Sequence, residues 1–218
     1  MSSIQHNKIT VQRTAHVYTY GNKAKAKVAV LVCHGYAHLA DRIIQKFNNV
    51  PEDDIYVVSP EGLSTFYWKG MNEEPVASWM TSRNRLDEIN DFSKYLSQVY
   101  AEYFSDFDGK IVLMGFSQGC ATIWRWQQRT PVEYHTMINW AGWIPEDIDL
   151  SNALDHLSDP QVHVVVGSKD QYLTDERIEA MEEVIQRNKI PATHHRFEGK
   201  HQVDRTLLES IINTILQK

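Results

Sequence analysis

Between Lys110 and Cys120 the chain reads K-I-V-L-M-G-F-S-Q-G-C. Ile111–Met114 is an apolar run with no polar interruption, a pattern that suits a strand buried on both faces of a sheet. The run stops at Gly115-Phe116-Ser117-Gln118-Gly119, and Gln118–Arg129 has helical character. A serine on a tight strand-to-helix turn between two glycines matches the G-x-S-x-G elbow that presents a nucleophile. The glycines have a physical role, because the turn strains the serine backbone and brings strand and helix into close passage. The competing reading is a glycine-flanked turn whose serine caps the following helix.

The other apolar runs repeat the theme. Ala26–Cys33, Asp54–Ser59, Thr136–Trp140, Gln161–Val166 and His194–Phe197 read as strands, and Lys8–Tyr20 as one or two antiparallel edge strands ending at a Gly21-Asn22 turn. Between them lie helical patterns. Leu39–Phe47 is short. Ser82–Phe104 places Leu86, Ile89, Phe92, Leu96, Val99, Tyr100 and Tyr103 at spacings of three and four. Thr174-Asp175-Glu176 can cap a helix that Pro191 ends, and Asp204–Leu216 closes the chain as an amphipathic helix. Strands alternating with helices predict an α/β fold, a mainly parallel central sheet covered on both faces, in one domain spanning 1–218. Residues 61–80 stand apart. Phe66, Tyr67, Trp68 and Trp79 occur there without clear periodicity, which predicts a long aromatic loop that either covers the core or walls a substrate site.

Composition removes several classes. The net charge of -6 comes with no basic stripe, so nothing points to nucleic acid. No apolar run approaches spanning length, which predicts no stable membrane insertion, and the polar Met1–Lys8 segment lacks a signal-peptide core. Two cysteines, Cys33 and Cys120, are not a disulfide framework and fit a reducing cytoplasm. The histidines lack H-E-x-x-H spacing and no glycine-rich phosphate loop is present, so neither a metal nor any other cofactor is implied. No residue pattern specifies an oligomeric state.

In a parallel sheet, reactive groups gather beyond the carboxyl ends of the strands. Ser117, Asp170 and His201 each follow such an end, in the chain order Ser, Asp, His expected of α/β-hydrolases. A serine hydroxyl needs an imidazole to take its proton, and the imidazole needs a carboxylate to fix its tautomer. His201 takes the first role and Asp170 the second. Asp155, Asp159 and Asp175 compete for the acid; Asp159 precedes its strand, and Asp175 reads as a helix cap. His34 reads as shaping the loop after the first buried strand, and His194 and His195 as structural or solvent-facing. The backbone N–H groups of Gln118 and Tyr36 are the expected oxyanion donors. Cys120 falls on the helix after the turn and reads as a packing residue.

These residues resemble the phospholipase/carboxylesterase family of small α/β-hydrolases, which includes carboxylesterases, lysophospholipases and acyl-protein thioesterases. Gly115-Phe116-Ser117-Gln118-Gly119 matches that family's G-F-S-Q-G elbow. Val32-Cys33-His34-Gly35 is similar to its L-H-G segment, Ala141-Gly142-Trp143-Ile144-Pro145 to S-G-x-x-P, Gly167–Asp170 to G-x-x-D, and Gly199–Val203 to G-G-H-x-[IV]. Cys120 and Lys200 stand where the family usually has glycine, and Ala141 where it usually has serine. The matches run from Val28 to Val203.

The expectation is therefore a serine carboxylesterase acting on a small-molecule ester through an acyl-serine. A lysophospholipase or acyl thioesterase would use the same triad. The rival from another class is a non-catalytic hydrolase homologue that binds a small ligand. Phe66, Trp68, Trp79 and Trp143 are the expected substrate-binding rings, packed closely enough to favour short or medium acyl chains.

Overall fold

The computed structural model describes residues 3–149 and 161–217. Seven strands form the main sheet: β1 (Val17–Gly21), β2 (Val28–Cys33), β3 (Ile55–Pro60), β6 (Lys110–Phe116), β7 (Thr136–Trp140), β8 (Gln161–Gly167) and β9 (Ala192–Phe197). Their order is β1-β3-β2-β6-β7-β8-β9. Only the β1–β3 pair is antiparallel. Of the Lys8–Tyr20 expectation, only its end is a strand; residues 3–16 carry no regular structure and reach the domain through Lys8–Asp87 and His16.

Alternation along each strand splits the core in two. Val28, Val30 and Val32 of β2 face a layer containing α1 (Ala40–Ile44), the 3-10 turn Gln45–Phe47 and α5 (Arg205–Gln217). Ala29, Leu31 and Cys33 face α2 (Arg85–Phe104), α3 (Gln118–Arg129) and α4 (Asp175–Arg187). A strand buried on both faces has no use for polar residues, which is why these runs are uninterrupted. α2 buries Ile89, Phe92, Leu96 and Val99 as its spacing predicts. It starts at Arg85, three residues late, and leaves Leu86 exposed in its first turn. Among the described residues, no helix is long and apolar enough to cross a membrane.

The chain runs outward from β2 to β3, then returns to lay β6 beside β2 and proceeds to the other edge. This reversal opens a crevice at the carboxyl ends of β2 and β6, the place where open α/β sheets accept ligands. His34-Gly35-Tyr36 and Ser117 leave those two strands there.

Residues 61–80 correct the expectation of a structureless loop. Most of them form a hairpin, β4 (Ser64–Tyr67) paired antiparallel with β5 (Pro75–Ser78), in register Phe66↔Val76. The hairpin is fastened near its base, where Ala77 N donates to His38 O at 3.0 Å. Its far end reaches α1 through Arg42, whose Nη2 donates to both carboxylate oxygens of Glu74 at 3.0 Å.

The two classes of leucine give a stability test. Leu208 of α5 is fully buried, and Leu208→Ala should cost about 2–5 kcal/mol in denaturant unfolding. Leu86→Ala should fall within about 0.5 kcal/mol of wild type. A large loss at Leu86 would show that the start of α2 packs differently.

Candidate active site

The elbow is built by close backbone passage. A side-chain carbon on Gly115 would meet the Cys120 backbone, and one on Gly119 would meet the Cys33 carbonyl. Strand, turn and helix therefore stack without spacers, and Ser117 is driven to φ 55°, ψ -117°. Its N–H donates to Trp140 O at 2.9 Å and its carbonyl accepts from Cys120 N at 3.0 Å, which locks that conformation. The Ser117 hydroxyl makes no capping bond to α3. It lies 2.9 Å from His201 Nε2.

His201 Nδ1 lies 2.8 Å from Asp170 Oδ2, and the Asp170 side chain is wholly buried. A carboxylate only accepts, so Nδ1 carries the proton and Nε2 accepts from Ser117. Asp170 Oδ1 accepts from the backbone N–H of Tyr172 at 2.9 Å and of Leu173 at 3.3 Å. Those bonds aim the carboxylate. The His201 ring packs between Phe116 and Tyr172, at centroid distances of 5.1 and 4.7 Å. Asp175 is the first residue of α4 and not its cap; Thr174 is the N-cap, and its side chain makes no capping hydrogen bond. Asp155 and Asp159 lie outside the described residues.

The loop after β2 is shaped by His34. This imidazole is buried; its Nδ1 donates to Gly35 O at 2.7 Å, and its Nε2 accepts from Gly62 N at 2.9 Å. Its carbonyl accepts from the Trp79 indole at 2.9 Å. Burial, only partly offset by the Gly35 hydrogen bond and reinforced by His38, lowers the His34 pKa to about 4. Gly35 passes Ser117 closely enough that a side-chain carbon on it would be 3.1 Å from Ser117 Cβ. Tyr36 is the next residue. His38 lies beside Phe116, 5.3 Å between rings, and its pKa is lowered by burial and by the charges of His201 and Lys46.

Gln118 does more than supply a backbone amide. Its side-chain oxygen accepts from Trp79 N at 3.0 Å and Ser78 Oγ at 3.3 Å, and its Nε2 donates to Met80 O at 2.8 Å. One glutamine thus joins the elbow to the end of the hairpin. Asn139 does a matching task for the turn after β7, donating to Gly142 O at 2.6 Å.

The four expected substrate rings are not together. Phe66 and Trp68 pack with Tyr36 at 5.5 and 5.2 Å between centroids, and Trp143 stands half exposed at the opposite turn. Trp79 is buried against Phe92 beneath the loop after β2. Cys120 is also buried, its thiol directed at Gly115 O and Trp140 O, with its pKa pushed far up by burial. That thiol stays protonated. Among the described residues, no group of three or more His, Cys, Asp or Glu side chains is placed to hold a metal ion.

Residues 15–217 match the family described as Phospholipase/Carboxylesterase. The chain belongs to that family. Its fold is the α/β-hydrolase fold of esterase- and thioesterase-type hydrolases. Maize (Zea mays) acyl-protein thioesterase 2 superposes with a TM-score of 0.73 at 14% identity, covering 94% of this chain and 99% of that one. The Bacillus cereus carboxylesterase gives 0.69 at 16%, covering 93% and 94%. A phospholipase/carboxylesterase from Dyadobacter fermentans gives 0.65 at 19%, covering 95% and 99%. No curated protein matches the chain in sequence. The family segments quoted above end the strands around Ser117, and the glutamine of G-F-S-Q-G acquires a side-chain role here.

Burial of His34 carries a pH consequence. Its pKa is about 4 in the fold against 6.5 in the unfolded chain, so between those values the unfolded chain binds more protons. His34 stabilises the fold fully above about 6.5, and that stabilisation is lost as pH falls toward 4. Denaturant titrations should show a shallower acid slope in His34→Gln than in wild type; identical slopes would place the titration elsewhere.

Proposed function

We propose that this chain is a serine carboxylesterase, with Ser117 as nucleophile, His201 as general base and acid, and Asp170 as its orienting carboxylate. The observation that carries this reading is the unbroken line Asp170 Oδ2, His201 Nδ1, His201 Nε2, Ser117 Oγ, with steps of 2.8 and 2.9 Å. Ser117 attacks the ester carbonyl while His201 Nε2 takes the hydroxyl proton. Negative charge develops on the carbonyl oxygen, where the N–H groups of Gln118 and Tyr36 would receive it. His201 then returns the proton to the departing alcohol, and a butyryl- or similar acyl-serine remains. Water repeats the sequence from the other side and frees the acid.

Three further observations support the reading. Ser117 is released from helix capping. The Asp170 carboxylate receives two backbone N–H bonds that hold it toward His201. His34 is neutral and pinned, so the loop bearing Tyr36 is set before substrate arrives. Cys33 and Cys120 are buried and unpaired, which supports work in a reducing cytoplasm.

Phe66, Trp68 and Tyr36 fill volume beside the oxyanion loop by packing on one another. Rings so placed occupy the space a long chain needs, which favours short or medium acyl groups. Butyryl esters should exceed palmitoyl esters in kcat/KM, and Trp68→Ala should narrow the gap. Rates climbing steadily from acetyl to palmitoyl would turn the reading toward a lysophospholipase.

The central test is direct. A fluorophosphonate should label Ser117, and Ser117→Ala should abolish labelling and turnover across a panel of oxygen esters and thioesters. Asp170→Asn should lower kcat on the order of 10⁴-fold with the fold intact, because the wrong imidazole tautomer is then favoured. Undiminished turnover in Ser117→Ala would remove the nucleophile assignment. Silence of the wild type toward the whole panel and the probe would favour the ligand-binding homologue.

A further inference from the structure

α4 is an acidic helix. Asp175, Glu176, Glu179, Glu182 and Glu183 dominate it, and Arg187 sits in the last turn, where the helix dipole favours a cation. Arg177 is the exception. It lies in the first turn, at the positive end, where a cation is disfavoured. Its neighbours three and four positions away are Leu173, Thr174, Ala180 and Met181, none of them acidic. Among the described residues it forms no ion pair. Asp175 and Glu176 in the same turn offset the dipole, so the Arg177 guanidinium is held by its local contacts and otherwise faces solvent.

Arg177 Nη1 donates to Tyr172 O at 2.7 Å, and its guanidinium carbon lies 5.5 Å from the centre of the Trp143 ring. Tyr172 in turn meets the His201 ring edge-on at 4.7 Å. Trp143 follows Gly142, which lies directly against the Ser117 carbonyl and Cys120. The guanidinium is thus linked to His201 through one residue, Tyr172, whose carbonyl it binds and whose ring meets the imidazole, and to the elbow through Trp143 and Gly142. One of its five N–H donors is committed to Tyr172, and the indole holds its plane in place.

His201 Nε2 must hand its proton to the leaving alcohol, so the leaving portion of the substrate lies next to His201, the ring that Tyr172 packs against. We infer that Arg177 binds a carboxylate carried by the leaving portion of the substrate, so that the preferred esters are monoanions in their alcohol part. The inference rests on the serine-hydrolase reading above. A planar guanidinium fork matches a carboxylate, and a lone cation suits a single negative charge. The net charge of -6 repels anions at long range, so any preference for them has to arise locally.

The test compares the butyryl ester of 3-hydroxybenzoate with that of 3-hydroxybenzamide. Both yield the same butyryl-enzyme, so the ratio of their kcat/KM values reports acylation alone. Loss of the Tyr172 tether affects both esters alike and cancels in that ratio. Wild type should favour the benzoate by about threefold or more at low salt, the scale of an exposed charge pair. Arg177→Gln should remove the preference, Arg177→Lys should keep part of it, and Arg177→Glu should invert it. Salt at about 0.5 M should shrink the wild-type ratio. A wild-type ratio near one, or a ratio that Arg177→Gln leaves unchanged, overturns the assignment while turnover and fluorophosphonate labelling of Ser117 keep the hydrolase reading. If neither ester turns over and Ser117 does not label, both readings fall together.

Discussion

Backbone crowding at the elbow is the constraint on which the site depends. Gly115 and Gly119 leave no room for side chains because β6 must turn into α3 against the end of β2. Gly142 closes the third side, against the Ser117 carbonyl. Ser117 absorbs the result as a positive φ, a conformation that costs on the order of 1–3 kcal/mol for a residue with a side chain. Among the described residues three more non-glycine residues share that region: Ala37 at φ 55°, Ala141 at φ 50° and Lys189 at φ 51°. Lys189 lies apart, after α4, whereas Ala37 and Ala141 follow the ends of β2 and β7, the two strands flanking β6. Three of the four therefore sit in turns that meet around one hydroxyl, and the strands behind those turns, buried on both faces, are what hold them there.

Neutral polar groups fix the turns around Ser117. His34, Gln118 and Asn139 each bond backbone groups of a neighbouring turn, and His34 and Asn139 are fully buried. A hydrogen bond in a low-dielectric interior is strong, and an unmade one is costly, so each of these side chains specifies one loop path. This explains why burial of an imidazole at this position is tolerated at all. Kept neutral, His34 offers one donor and one acceptor, and Gly35 and Gly62 use both.

The sequence made the parallel sheet legible because strands buried on both faces cannot hide their composition. Ser117, Asp170 and His201 were legible as a group because three reactive residue types followed three strand ends in a mechanistically meaningful order. The hairpin was not. β4 alternates half-buried and exposed positions, β5 begins at Pro75, and neither has a fully apolar face to announce it. Trp79 was grouped with Phe66 and Trp68 for a related reason. Without a periodicity there is no facing, and only the fold shows that its indole turns inward to His34. Arg177 was hidden within a stretch read correctly as a helix; its departure from the charge pattern matters only once Tyr172 and Trp143 are known to lie beside it. Residues 3–16 show the opposite failure. An alternating pattern with no neighbouring strand to pair with stays irregular, since the ladder needs both partners.

The opposite wall of the site is held by charge. Asp147, in the turn after β7, pairs with Arg125 of α3 and with Arg85 of α2. Burial alone would raise the Asp147 pKa, but the Arg125 hydrogen bond and the charges of Arg125 and Arg85 outweigh it and lower it. The hairpin wall is fastened by the neutral Gln118 and the Trp143 wall by the cationic Arg125, yet both fastenings belong to α3. That helix begins where Ser117 ends the elbow. A single rigid element therefore carries Ser117 at its start and a fastening to each flanking turn, so the spacing between those turns is tied to the serine itself. Loops that were independently hinged would have to find that spacing in every binding event, with the ordering cost this entails. Anchoring them on one helix removes most of that cost before the substrate arrives.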